Sequence, residues 1–129
     1  MCLDTTWIEP KVAEKDISCW IVVEKDRSRW LSFYQGVRIT NKMRAHLETC
    51  RTHVGEGLHS FAKYADACCF KREYLKIYNT AQVTILKCVI PKGALYYQGT
   101  FDSVWNNCIP VPSYASNRRN LVKPIESIQ

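Results

Sequence analysis

No apolar run in the sequence approaches the roughly 20 residues needed to cross a bilayer. The longest covers residues 19–23, so a membrane-spanning helix is not expected. The opening Met1-Cys2-Leu3-Asp4 has neither a basic segment nor an apolar one, so no secretory leader is expected there. Cys2 also excludes the N-myristoylation pattern, which needs glycine. No C-x-x-C pair occurs, which argues against a zinc site built on close ligand pairs. No G-x-x-x-x-G-K-[ST] segment occurs, which excludes a phosphate loop of that type. No run of five or more basic residues forms an arm or tail. Internal repeats and low-complexity stretches are also missing.

What remains is ordinary globular chemistry. The chain has 129 residues, 47% hydrophobic and 23% charged. That fits a single domain, residues 1–129, able to bury roughly two-thirds of its unfolded surface without a metal or disulfide staple. The seven cysteines are Cys2, Cys19, Cys50, Cys68, Cys69, Cys88 and Cys108. An odd number without a leader predicts reduced thiols and a cytoplasmic location. Cys19 and Cys88 stand among Ile and Val, where a thiol acts as a small hydrophobe. No metal and no cofactor is expected. The net charge of +6 attracts phosphate. The basic residues are scattered, however, and most are expected to be solvated surface.

Residues 1–16 read as irregular. Residues 17–24 form the first strong strand, rich in β-branched and aromatic side chains. A polar turn follows at Lys25-Asp26-Arg27-Ser28. Residues 30–34 are a second, shorter strand or an aromatic loop. Residues 41–49 are predicted as a short helix capped by Asn41. Gly55-Glu56-Gly57 is a turn, and residues 58–61 are extended. From 63 to 78 the period changes. Tyr64, Ala67, Phe70, Tyr74, Ile77 and Tyr78 recur at three- and four-residue spacing, which predicts an amphipathic helix. Ser60 or Asp66 would support its first turn. Residues 82–90 are the second strong strand, stopped by Pro91-Lys92-Gly93, and residues 94–98 are a short strand. Residues 99–112 read as a loop holding Trp105, Asn106 and Asn107, and residues 113–117 as a tight polar turn. Residues 120–125 close the domain as an edge strand, because Pro124 cannot donate to a ladder. The fold class is therefore α+β. A small mixed or antiparallel sheet carries one main helix at about 63–78 and a second short helix at about 41–49.

Several residues are candidates for a ligand site. His59 and Ser60 follow a Gly-x-Gly turn, where they would contact a ligand or simply hydrogen-bond the turn. Lys92 and Gly93 follow a strand, where backbone N–H groups and an ammonium can hold an anion. Tyr96, Tyr97 and Tyr114 with Ser116, Asn117 and Arg118 offer aromatic faces and a guanidinium to a nucleotide-like group. Half-buried core tyrosines and a turn asparagine are the plainer reading of that set. The four tryptophans read as core or interface anchors.

Certain segments carry a resemblance. They are Met1-Cys2-Leu3, Gly57-Leu58-His59-Ser60-Phe61, Ile90-Pro91-Lys92-Gly93-Ala94-Leu95-Tyr96-Tyr97 and Ser113-Tyr114-Ala115-Ser116. Together they resemble a group of small phage- and prophage-encoded proteins with no assigned activity. The resemblance implies a bacterial host cell and a mobile-element origin. The order of segments is also similar to the ADP-ribosyltransferase fold, with Ser60 in the place of its middle serine. The positions of that family's catalytic residues differ here. Cys19 and Trp20 stand where Arg or His would be, and residues 114–118 hold no carboxylate where the Glu would be. The expected function is thus a non-enzymatic binder, acting in anti-defence. Its partner would be a host protein or a small anionic, nucleotide-like ligand. An ADP-ribosyltransferase-like enzyme and a nucleic-acid-binding protein are the alternatives, and a homo-oligomer is the default assembly.

Overall fold

The computed structural model describes residues 3–33, 36–50, 53–102 and 110–128. Cys2, Tyr34, Trp105, Asn106, Asn107 and Cys108 lie outside them. The described strands are β1 (Leu3–Asp4), β2 (Lys11–Val12), β3 (Ile17–Asp26), β4 (Arg29–Ser32), β5 (Lys42–Arg44) and β6 (Glu48–Cys50). They continue with β7 (His53–Glu56), β8 (Leu58–Phe61), β9 (Val83–Ile90), β10 (Leu95–Asp102), β11 (Pro110–Ser116) and β12 (Arg118–Leu121). One helix, α1 (Tyr64–Ile77), separates β8 from β9. The class is α+β, and the sheet is large and strongly curled.

The strands run in the order β5-β12-β9-β3-β8-β11-β10-β1-β7-β6, with β2 on β10 and β4 on β3. Every ladder is antiparallel. The longest, β3 on β9, pairs Ile17 with Ile90, Cys19 with Cys88 and Ile21 with Leu86. Side chains alternate between faces in a strand, so this ladder divides the core in two. Cys19, Ile21, Val23, Leu86, Cys88 and Ile90 pack on one face with Trp30, Ile39 and Ala94. Val22, Phe61, Tyr97, Phe101 and Val111 pack on the other, beneath the helix residues Ala67 and Phe70. Phe33 and Phe61 meet Phe70 at centroid separations of 5.3 and 5.7 Å. Tyr74 Oη donates to Glu24 Oε2 at 3.1 Å, which ties the end of α1 to β3.

The helix and the two strong strands lie where their periodicity predicts. The helix N-cap is Lys63, which makes no side-chain cap bond, and only Asp66 supports the first turn. Ser60 is instead in β8.

Several expectations are corrected. The sheet is not small but twelve-stranded, and residues 1–16 contribute β1 and β2 to it. Residues 41–49 are not a helix. Met43, Ala45 and Leu47 point inward while Lys42, Arg44, His46 and Glu48 face solvent, the period-2 alternation of a strand. Residues 113–117 are not a turn, and β10 extends through Gly99 to Asp102. Ser113 and Ser116 are buried in β11, where their hydroxyls donate to the Val111 and Leu58 carbonyls. Small, self-satisfied serines thus sit inside a sheet despite their turn propensity. The last strand is not at an edge, since β12 lies between β5 and β9. It ends at Leu121, and Pro124 instead caps a short 3-10 turn at Ile125–Ser127.

Candidate functional site

The curl of the sheet brings its second to fifth strands, β12, β9, β3 and β8, around a shared interior. Arg119 on β12 crosses it, and its Nη1 donates to the His59 carbonyl on β8 at 2.8 Å. In the order of strands, β9 and β3 stand between the two. Nη2 reaches Met43 Sδ at 3.5 Å. Arg119 is only 3% exposed. Among the described residues no carboxylate pairs with it. Burial pushes its pKa down, yet a guanidinium keeps its proton throughout the ordinary pH range.

Cys19 and Cys88 lie directly opposite each other in the ladder, both fully buried. Cys88 also pairs with Leu121, two residues along β12 from Arg119, which puts the guanidinium on the thiols' face. The Cys88 S–H has two acceptors in reach, the Leu86 carbonyl at 3.7 Å and the Cys19 sulfur. The Cys88 thiol, Ser60 and the Arg119 charge together hold the Cys19 pKa below the ordinary thiol value, against the opposing effect of burial. The Cys88 pKa is pushed up by its Cys19 neighbour and by burial. Ser60 Oγ is buried with no partner at hydrogen-bond distance among the described residues. It lies on the Cys19 face, where a thiolate would accept a hydrogen bond from it.

His59 is buried in β8. Its Nδ1 faces the Gly57 carbonyl at 3.1 Å and its Nε2 the Val54 carbonyl at 3.0 Å. Two carbonyls would favour the imidazolium. Burial outweighs them, the Arg119 charge adds to it, and the pKa falls to about 4. The pH dependence of stability follows. Between about pH 4 and the unfolded value of about 6.5, the unfolded chain binds the proton and the fold does not. This contribution is therefore complete above pH 6.5 and is lost as pH falls toward 4, roughly 3 kcal/mol in all. Urea unfolding from pH 7.5 to 4 should show that loss, and a His59→Gln variant should show much less of it.

The other sequence-derived candidates divide among three places. Tyr96 and Tyr114 meet edge to face at 6.0 Å, and Trp7 continues the row against Tyr96 at 5.4 Å. Tyr96 also lines an open groove of about 840 Å³ with Lys11, Val12, Glu14, Lys15 and Ile17. Lys11 Nζ is already engaged over the Trp7 ring at 4.1 Å. Tyr97 points to the opposite face of β10, into the core under α1. Lys92, Asn117 and Arg118 gather at a corner of the fold. There the Lys92 N–H donates to Asp16 Oδ1 at 2.9 Å and the Gly93 N–H to the Ala13 carbonyl at 2.8 Å. Asn117 Oδ1 accepts from the Leu95 N–H at 2.9 Å. Those donors already serve the chain's own acceptors. His59, Ser60 and Ser116 are interior, so the nine residues do not converge on one cleft.

The sequence reading missed a groove between α1 and β9. It holds about 450 Å³ and is lined by Tyr64, Cys68, Lys71, Arg72, Leu75, Lys76 and Ile85, a size within the range of ligand pockets. Leu75 and Ile85 supply apolar lining. Tyr64 is 54% exposed, and Trp20 supports its ring edge on at 6.2 Å. The Cys68 thiol bond raises the Tyr64 pKa, so the phenol is neutral at neutral pH. Lys87 lies two residues from Ile85 on β9 and so faces the same side. The signal was legible as the stripe 64, 68, 71 and 75, but the helical period had assigned Tyr64 to the core.

Among the described residues, His46, Glu48 and Glu56 are grouped with metal-ligating atoms within 4.8 Å of one another, all exposed, with His46 just before β6, Glu48 on β6 and Glu56 at the end of β7. No helix among the described residues is long and apolar enough to cross a membrane. Compared with family models, curated proteins and solved structures, the chain matches none.

Proposed function

We propose that the protein is a non-enzymatic binder of a small anionic, nucleotide-like ligand held in the groove between α1 and β9. One observation carries this reading. Lys71, Arg72 and Lys76 converge on a pocket whose lining contains no carboxylate, beside an exposed tyrosine ring and an apolar floor. Cations supply phosphate recognition and the ring supplies a stacking face for a base. Lys76 is shared with Glu73 at 2.9 Å, so Lys71 and Arg72 carry most of the phosphate contact. The resemblance to phage proteins fits a role in sequestering a host signal nucleotide.

Calorimetry against nucleoside mono- and diphosphates and cyclic dinucleotides tests this. Binding should weaken with salt, since it rests on charge. Reversing both Lys71→Glu and Arg72→Glu should cost at least about tenfold in Kd, or 1.4 kcal/mol. Tyr64→Ala should weaken nucleotides but leave inorganic pyrophosphate unchanged. No heat with any of these ligands at low salt rejects the reading.

A further inference from the structure

We propose that Cys19 and Cys88 form a redox dithiol that a small hydroperoxide converts to a cross-strand disulfide. Directly opposed residues of an antiparallel ladder have Cα atoms about 4.5–5.5 Å apart. Disulfides span about 4.4–6.8 Å, so the β3–β9 register already holds these two cysteines within bonding range. Three further features set them apart from Cys68 and Cys69 on α1. Arg119 lies on their face, 3% exposed and without a carboxylate partner among the described residues. A buried guanidinium requires an anion nearby, and a Cys19 thiolate is the group placed to provide it. The Ser60 hydroxyl is buried on that same face with no partner at hydrogen-bond distance among the described residues, and it gains one when Cys19 ionises. Cys88, whose proton is held more tightly, stands beside it as the resolving thiol.

The chemistry balances in two steps. The Cys19 thiolate attacks one oxygen of the hydroperoxide. An S–O bond forms as the O–O bond breaks, and the other oxygen leaves as hydroxide or alkoxide, which takes a proton from water. Cys19 is then a sulfenic acid and the peroxide has accepted two electrons. The Cys88 sulfur, losing its proton, attacks the Cys19 sulfur. The S–S bond forms and hydroxide leaves, combining with that proton as water. Arg119 stabilises the thiolate and the charge that develops on the leaving oxygen.

Access is restricted. Both sulfurs are sealed from solvent. A cavity of about 20 Å³ abuts Arg119, with Met43 and His59 in its wall, room for about one water-sized molecule. β9 is flanked by β12 through a short ladder, Asn120↔Val89 and Leu121↔Cys88, with the Val122 N–H donating to the Lys87 carbonyl at 3.1 Å. Releasing that ladder would draw Arg119 and Leu121 off the face that carries the pair without unfolding β3.

The test uses the full chain in its reduced form. Native protein is treated with hydrogen peroxide, then denatured, alkylated and digested with trypsin. The peptide of residues 16–25 should appear linked to that of residues 88–92, two hydrogens lighter than their sum. Cys19→Ser and Cys88→Ser should each abolish the link. Arg119→Met should slow its formation at least tenfold at fixed pH. N-ethylmaleimide, too large to enter, should label Cys68 or Cys69 in the native protein while sparing the pair. The proposal is overturned if Cys19 and Cys88 stay fully alkylatable once Cys68 or Cys69 has oxidised. It is also overturned if Cys19 is found linked to another cysteine. The wild-type map decides the matter even where a variant fails to fold. It is independent of the nucleotide groove, whose lining contains neither Cys19 nor Cys88.

Discussion

Arg119→Ala is expected to lower the unfolding free energy by about 3–5 kcal/mol, the range of large buried truncations. For a chain of this size that is a fall in Tm of about 10–15 °C. Two losses add. The stem leaves a void between β12 and β8. The buried His59 carbonyl loses its donor, which costs about 1–3 kcal/mol. One term opposes them, because an ion without a carboxylate partner leaves a medium that solvates it poorly. Arg119→Met separates these contributions. It keeps the stem volume and the contact with Met43 while removing charge and donor, so it should fall within about 2 kcal/mol of the parent. The difference between the two variants measures packing, and the difference between Met and the parent measures the charge together with the donor lost to the His59 carbonyl. Urea unfolding at pH 7 under reducing conditions gives both. An Ala variant within about 1 kcal/mol of the parent would mean that the side chain does not cross the sheet interior.

Ile17–Asp26, Tyr64–Ile77 and Val83–Ile90 were legible because each repeats its period long enough to outweigh local propensity. Residues 42–48 also alternate cleanly, but Asn41 offered a helix cap and drew the reading away. Asn41 in fact binds the C-terminal turn, with its Oδ1 accepting from the Ile125 N–H at 2.6 Å. Serine and asparagine propensities likewise turned β11 into a turn. What overrode them was non-local, the seven-residue pairing of β10 with β11. The interior cluster was hidden for a related reason. Cys19, Ser60, Cys88 and Arg119 come from four strands, and only sheet order and curl join them. Arg119 looked like one more surface cation because nothing nearby in sequence marks it as buried. The helix groove could have been found from the helix alone, since its four stripe residues share a single element.

Gly99→Ala is the second substitution expected to act strongly, and it acts through space rather than conformation. Gly99 lies in β10 opposite Ser113, and the next residue, Thr100, pairs with Asp4 of β1. β1 crosses so near that a Cβ on Gly99 would land on the Asp4 carbonyl and come within 3.2 Å of Leu3 Cγ. Backbone cannot yield as a flexible side chain can, so β1 must move. Leu3 is fully buried in the core beneath α1, and its withdrawal costs about 2–3 kcal/mol of apolar burial. The damage spreads because β7 and β6 join the sheet through β1. A single methyl should therefore cost about 3–4 kcal/mol in total, the scale of a disrupted core. Hydrogen exchange gives the sharper readout. Amides of Val54 and its neighbours in β7 should lose protection, while those of β3 and β9 keep theirs, because the Cys19–Cys88 ladder lies at the far side of the sheet. Uniform loss across both regions would indicate a single cooperative unit instead. Unchanged protection in β7 would show that β1 does not hold that edge.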